Sequence, residues 1–124
     1  MTDKSLKVLV VDDSPTDLAV LTRLLAAQGH TFLTASDAEK AIALAQSDLP
    51  DVILMDVVMP GLNGFQATRA LQRDPRTASI PVIIVSSKSQ ETDVVWGMRQ
   101  GAKDYIVKPV DSADLRKKLQ AVTN

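Results

Sequence analysis

The sequence contains no cysteine and a single histidine, His30. Disulfides, thiolate zinc sites and thiol catalysis are thereby excluded, and a Ser-His-Asp triad or a histidine-rich metal site has almost no material. Aromatic residues make up only 3% of the chain, so Trp96 and Tyr105 stand nearly alone. No apolar run approaches the ~20 residues that a membrane helix needs. The opening Met1-Thr2-Asp3-Lys4-Ser5 has no leader-like apolar region. A charge excess is missing too: 14 basic residues face 15 acidic ones, and no basic run exceeds the pair Lys117-Lys118. Nucleic-acid domains normally gather a basic stripe, so nucleic-acid binding is not expected, nor is membrane insertion. The expectation is a cytoplasmic protein whose 124 residues form one domain, 1-124, without an output domain.

What is present is an alternation of short apolar runs with amphipathic stretches, which points to an α/β fold with a parallel sheet. The first run is Lys7 to Val11. Ser14-Pro15 then opens a helix, since serine caps well and proline suits the first helical position; Leu18, Leu21, Leu24 and Leu25 follow at helical spacing, and Gly29 ends it. A weaker strand is predicted over His30 to Ala35. Ser36 with Glu39 reads as a capping box for the next helix, which carries Ala38, Ile42, Leu44 and Ala45. Asp51 to Met55 is the central strand, Val57 to Asn63 a loop, and Phe65 to Arg73 a helix broken by Asp74-Pro75. Ile80 to Val85 is the fourth strand, Gln90 to Gln100 a helix closed by Gly101, and Asp104 to Val107 the fifth strand. Asp111 or Ser112 caps a last helix ending near Val122. The pattern is a single doubly wound (βα)5 unit whose strands are nearly all apolar, as expected for strands covered on both faces.

The strands end in polar groups. Val8 to Val11 leads to Asp12 and Asp13, Val52 to Met55 leads to Asp56, Val82 to Val85 leads to Ser86, and Tyr105 to Val107 leads to Lys108-Pro109. Right-handed crossovers bring the C-terminal ends of parallel strands to one edge, where ligands of open α/β sheets bind. An isolated carboxylate such as Asp56 behind a buried strand is costly unless it is paired or used. Three carboxylates together raise one another's pKa, and a hard cation such as Mg2+, held by carboxylates, waters and a phosphate, relieves the repulsion. A carboxylate shielded in this way can attack phosphorus and form an aspartyl-phosphate. Taken singly, Asp12 or Asp13 could cap the helix and Lys108 could be a solvated loop lysine, Ser86 reads more readily as a structural hydroxyl, and a mere loop cap fits Asp56 least, given its apolar approach. The set of five at matching strand ends is what carries the chemistry. His30, after Gly29, reads as an exposed turn residue. Trp96 reads first as a packing residue, with a partner anchor as the alternative, and Tyr105 as either buried or surface.

These residues resemble the receiver domain of two-component response regulators over essentially the whole chain. The motifs that carry the resemblance are Val10-Val11-Asp12-Asp13-Ser14, Leu54-Met55-Asp56-Val57-Val58-Met59-Pro60-Gly61, Gly64, Val85-Ser86-Ser87, Gly101-Ala102 and Lys108-Pro109. The resemblance implies a flavodoxin-like strand order, 2-1-3-4-5. It also implies Asp56 as phosphoacceptor, Asp12, Asp13 and Asp56 with the Val58 backbone carbonyl around Mg2+, Lys108 pairing with the phosphoryl group, and Ser86 and Tyr105 as the switch pair. A histidine kinase would be the donor. The fourth helix, fifth strand and fifth helix would face a protein target. A monomer is expected, with phosphorylation-dependent dimerisation as an option. Met59 to Arg69 and Gln90-Glu91-Thr92-Asp93 with Trp96-Gly97 look most like the small receivers of type IV pilus chemosensory systems, which govern twitching motility. Ser86 stands where threonine is usual and Ser87 where alanine is usual.

An aspartyl-phosphate phosphatase wants a second acid two residues after its nucleophile, and Val58 holds that place. A nucleotide-binding module lacks its glycine-rich loop after the first strand. A phosphate sink within a phosphorelay uses the same chemistry and stays open.

Overall fold

Apolar strands need cover on both faces, and ten elements in strict alternation supply it. The computed structural model describes residues 4–124. Met1, Thr2 and Asp3, the start of the stretch without a leader-like apolar region, lie outside the described residues. Strands β1 (Lys7–Val11), β2 (Thr31–Ala35), β3 (Val52–Met55), β4 (Val82–Ser86) and β5 (Asp104–Val107) alternate with helices α1 (Pro15–Ala27), α2 (Ala38–Asp48), α3 (Gly64–Arg73), α4 (Glu91–Arg99) and α5 (Ser112–Thr123). All pairings are parallel, in the order β2-β1-β3-β4-β5, as expected. None of the described helices is long and apolar enough to cross a membrane.

Successive strand side chains point to opposite faces, so β1, β3 and β4 each feed two cores, while the edge strand β2 is largely exposed and gives Leu33 and Ala35 to one of them. Val8, Val10, Val52, Leu54, Ile83 and Val85 pack against Leu21 and Leu25 of α1 and Leu115 and Leu119 of α5. Leu9, Val11, Ile53 and Met55 face the other way, against Ala38, Ala41 and Ala45 of α2 and Ala67 and Leu71 of α3. Full burial of one such leucine contributes roughly 1.5–3 kcal/mol. A third cluster joins Val57, Ile84, Ala102 and Tyr105, with Phe65 and Val94 packed against it. Helix α4 lies directly on this cluster, because a Cβ on Gly97 would stand 2.6 Å from Ile84 Cδ1 and 3.4 Å from Tyr105 Cδ2.

Local chemistry starts the helices where it was read, with one shift. Ser14 caps α1, its Oγ accepting the Asp17 N–H. Asn63 and Gln66 form a reciprocal capping box on α3, and Asp111 caps α5. The expected Ser36–Glu39 box is replaced by Asp37, whose Oδ1 accepts the Lys40 N–H at 2.9 Å. An ionised cap gains from the helix dipole as well as from the hydrogen bond, so the carboxylate wins over the neighbouring hydroxyl.

Four further readings are corrected. The second strand starts at Thr31, and His30 is buried rather than an exposed turn residue: its Nδ1 accepts the Leu6 N–H at 3.0 Å, supplying a partner to the amide just ahead of β1. The fourth strand starts at Val82, behind Pro81, and runs on to include Ser86, which pairs with Val107. Trp96 is half-exposed beside Val95 and Met98, so core packing is not its role.

Candidate functional site

The backbone pins both buried acids to the sheet edge. Asp12 N–H donates to Ala35 O and Asp56 N–H donates to Val11 O, extending the ladder one residue beyond β1 and β3. Glycine is required behind Asp56, since a Cβ on Gly64 would overlap the Asp56 carbonyl. The Gly64 N–H in turn closes the loop on Val57 O. Asp12 and Asp56 are buried while Asp13 is exposed, and one oxygen from each of the three lies within 4.8 Å of the others. Val58 follows in the loop, its side chain exposed.

Lys108 brings the compensating charge. Its Nζ donates to Asp12 Oδ2 and to Asp17 Oδ2, each at 2.8 Å, and stands 3.6 Å from Asp56 Oδ1. The lysine is thus within the charge field of the central acid without a hydrogen bond to it. Burial, reinforced by the charge of Asp12, pushes the Asp56 carboxyl up from 3.8 to about 6; Lys108 and the Val57 N–H pull the other way, and Asp13 adds to the rise. Burial disfavours the Lys108 ammonium, but the bonds to Asp12 and Asp17 and the charge of Asp56 outweigh it, so it titrates above the ordinary lysine range.

A hard divalent cation fits this donor set. The three acids offer oxygen ligands only, one of them open to solvent, and they outnumber the single ammonium of Lys108 that stands beside them. One such ion supplies charge neutralisation and a coordination point for an anionic oxygen.

Ser86 and Tyr105 grip the same residue from two sides. Ser86 Oγ accepts the Lys88 N–H at 3.2 Å, and Tyr105 Oη donates to the Lys88 carbonyl at 2.7 Å. Tyr105 is buried, and burial raises its phenol pKa; the charges of Asp93 and Asp56 add to the rise and the Ser86 hydroxyl opposes it. The structure therefore brings Asp12, Asp13, Asp56, Ser86 and Lys108 to one sheet edge, with Tyr105 linked to them through Lys88. Asp17 was not singled out in the sequence. Its place at Lys108 follows only once α1 is laid over the strand ends, a contact across 91 residues that the local pattern does not record.

The response regulator receiver domain matches residues 8–120. The chain belongs to that family. This receiver is 57% identical over 116 residues to protein PilH of Pseudomonas aeruginosa, across 94% of this chain and 96% of PilH. Among solved structures it is similar to the chemotaxis protein CheY4 of Vibrio cholerae, with 32% identity, a TM-score of 0.88 and coverage of 96% and 99% of the two chains. It is also similar to the receiver domain of the sensor histidine kinase PA1611 of Pseudomonas aeruginosa, at 28% identity and a TM-score of 0.89 over 97% and 98% of the chains. That domain holds a magnesium ion in its active-site cleft. The narrower resemblance, to small pilus-related receivers, agrees with the match to PilH.

Proposed function

We propose that Asp56 of this receiver accepts a phosphoryl group from a histidine kinase, with Mg2+ held by Asp12, Asp13, Asp56 and the Val58 carbonyl. The observation that carries the reading is the buried Asp56 carboxylate with two acids beside it and an ammonium 3.6 Å away. An Asp56 oxygen attacks phosphorus, the bond from phosphorus to the donor nitrogen breaks, and the electron pair stays on the donor imidazole. Lys108 turns to the new anionic oxygens and balances their charge. The Ser86 hydroxyl donates to one of them, which draws it from the Lys88 N–H that it now accepts.

Release of that bond loosens the Lys88 peptide, which Tyr105 holds by its carbonyl. Two states of this loop then differ in how α4 and β5 present themselves, and a partner that distinguishes them reads the phosphoryl group. Val95, Trp96 and Met98 on α4 and Val107 on β5 are exposed, which supports a protein target on the face formed with α5. The receiver acts as a switch and not as a turnover enzyme, within a pilus-linked motility pathway like that implied by PilH. Acetyl phosphate with Mg2+ should add one phosphoryl mass to the wild type and none to Asp56→Asn. Labelling that persists in Asp56→Asn places the acceptor elsewhere.

A further inference from the structure

We infer that Asp17 is a positioning residue that holds the Lys108 ammonium back from Asp56 until a phosphoryl group arrives; this rests on the reading of Asp56 as acceptor. An ammonium has three N–H donors. Two are spent at 2.8 Å on Asp12 and Asp17, and Asp56 is left at 3.6 Å. Both competing acids are set by a single residue. The Ser14 N–H donates to Asp12 Oδ1, and Ser14 Oγ accepts the Asp17 N–H. The spacing of the two carboxylates around the lysine is therefore built into the start of α1.

The two bonds are unequal. The Asp12 side chain is 1% exposed, that of Lys108 17% and that of Asp17 41%. Water competes most for the Asp17 bond, so it is the one that breaks when stronger negative charge appears at Asp56. Asp17 is then a competitor of the phosphoryl group for the same ammonium. Removing its charge favours the phosphorylated geometry, and lengthening it to glutamate keeps the competition.

A plain helix role for Asp17 makes a different forecast, because an acid in the first turn stabilises α1 whether or not Lys108 is present. Urea unfolding of metal-free wild type, Asp17→Asn, Lys108→Met and the double variant separates the two. The effect of Asp17→Asn on stability should shrink in the Lys108→Met background; an equal effect in both overturns the tether. Calorimetry with beryllofluoride and Mg2+ then tests the competition. Asp17→Asn should bind the phosphoryl mimic roughly two- to fivefold tighter, the range of a partly exposed ion pair, and Asp17→Glu should match wild type. Unchanged or weaker binding in Asp17→Asn overturns it. Failure of the acceptor reading is seen separately, as beryllofluoride that binds Asp56→Asn as well as wild type, and the metal-free urea cycle is indifferent to that result.

Discussion

Replacing Asp56 by asparagine deletes a charge that its surroundings oppose, and the size of the effect follows from the titration of the carboxyl. The group moves from 3.8 to about 6 in the folded chain, chiefly through burial and then through Asp12. Two units at 1.36 kcal/mol each give an upper bound of about 3 kcal/mol against the ionised native state at neutral pH. Residual solvation at the pocket mouth reduces this to an expected gain of about 1–2 kcal/mol for Asp56→Asn. The folded pKa is the higher one, so between about 4 and 6 the folded chain keeps a proton that the unfolded chain has released. Its contribution to stability is complete below 3.8 and is lost as pH rises through about 6. The variant should therefore be more stable than wild type at pH 7, and the two should converge near pH 4. Saturating Mg2+ should narrow the gap at pH 7 by stabilising wild type. Urea unfolding followed by far-ultraviolet circular dichroism, with a chelator present for the pH comparison and excess Mg2+ in its place for the last arm, measures these effects without the screening that an ionic denaturant brings. Equal stability at pH 7, or a gap that persists undiminished at pH 4, would refute the reasoning.

Asp13→Asn removes the exposed oxygen of the acidic trio and should weaken Mg2+ binding on the order of tenfold, read by calorimetry; wild-type affinity would exclude Asp13 from the ligand set. Gly64→Ala drives a methyl into the Asp56 carbonyl and should cost roughly 1–3 kcal/mol in urea while slowing acetyl phosphate labelling. A variant of unaltered stability and labelling would show that the loop can shift freely. Asp74, hydrogen-bonded first by the Arg76 side chain and also by Gln46, titrates at about 2 instead of 3.8. Its contribution is present above 3.8 and is lost as pH falls toward 2, so Asp74→Asn should flatten that part of the acid unfolding profile; a profile that superimposes on wild type would deny the link.

Most of the fold was legible because its determinants are local. Val8 to Val11 and Val82 to Val85 announce covered strands by composition alone, and Ser14-Pro15 and Asp111 announce helix starts by chemistry. The site was legible for a related reason: strand ends are countable, and parallel topology sends them to one edge. The misreadings share a physical cause. Choosing Asp37 over Ser36 depends on a dipole that exists only once α2 forms. Burial of His30 depends on the Leu6 amide, 24 residues away. The place of Asp17 at Lys108 depends on a contact across 91 residues and on the pitch of α1, neither of which leaves a mark on the local pattern.

The missing side chain at Gly97 has an effect beyond packing. With Ile84 and the Tyr105 ring against the bare backbone of α4, there is no compliant layer between aromatic and helix. A small swing of the phenol would press directly on the helix that carries Trp96, so a buried event at the sheet edge would become a change of contour on the outside of the molecule.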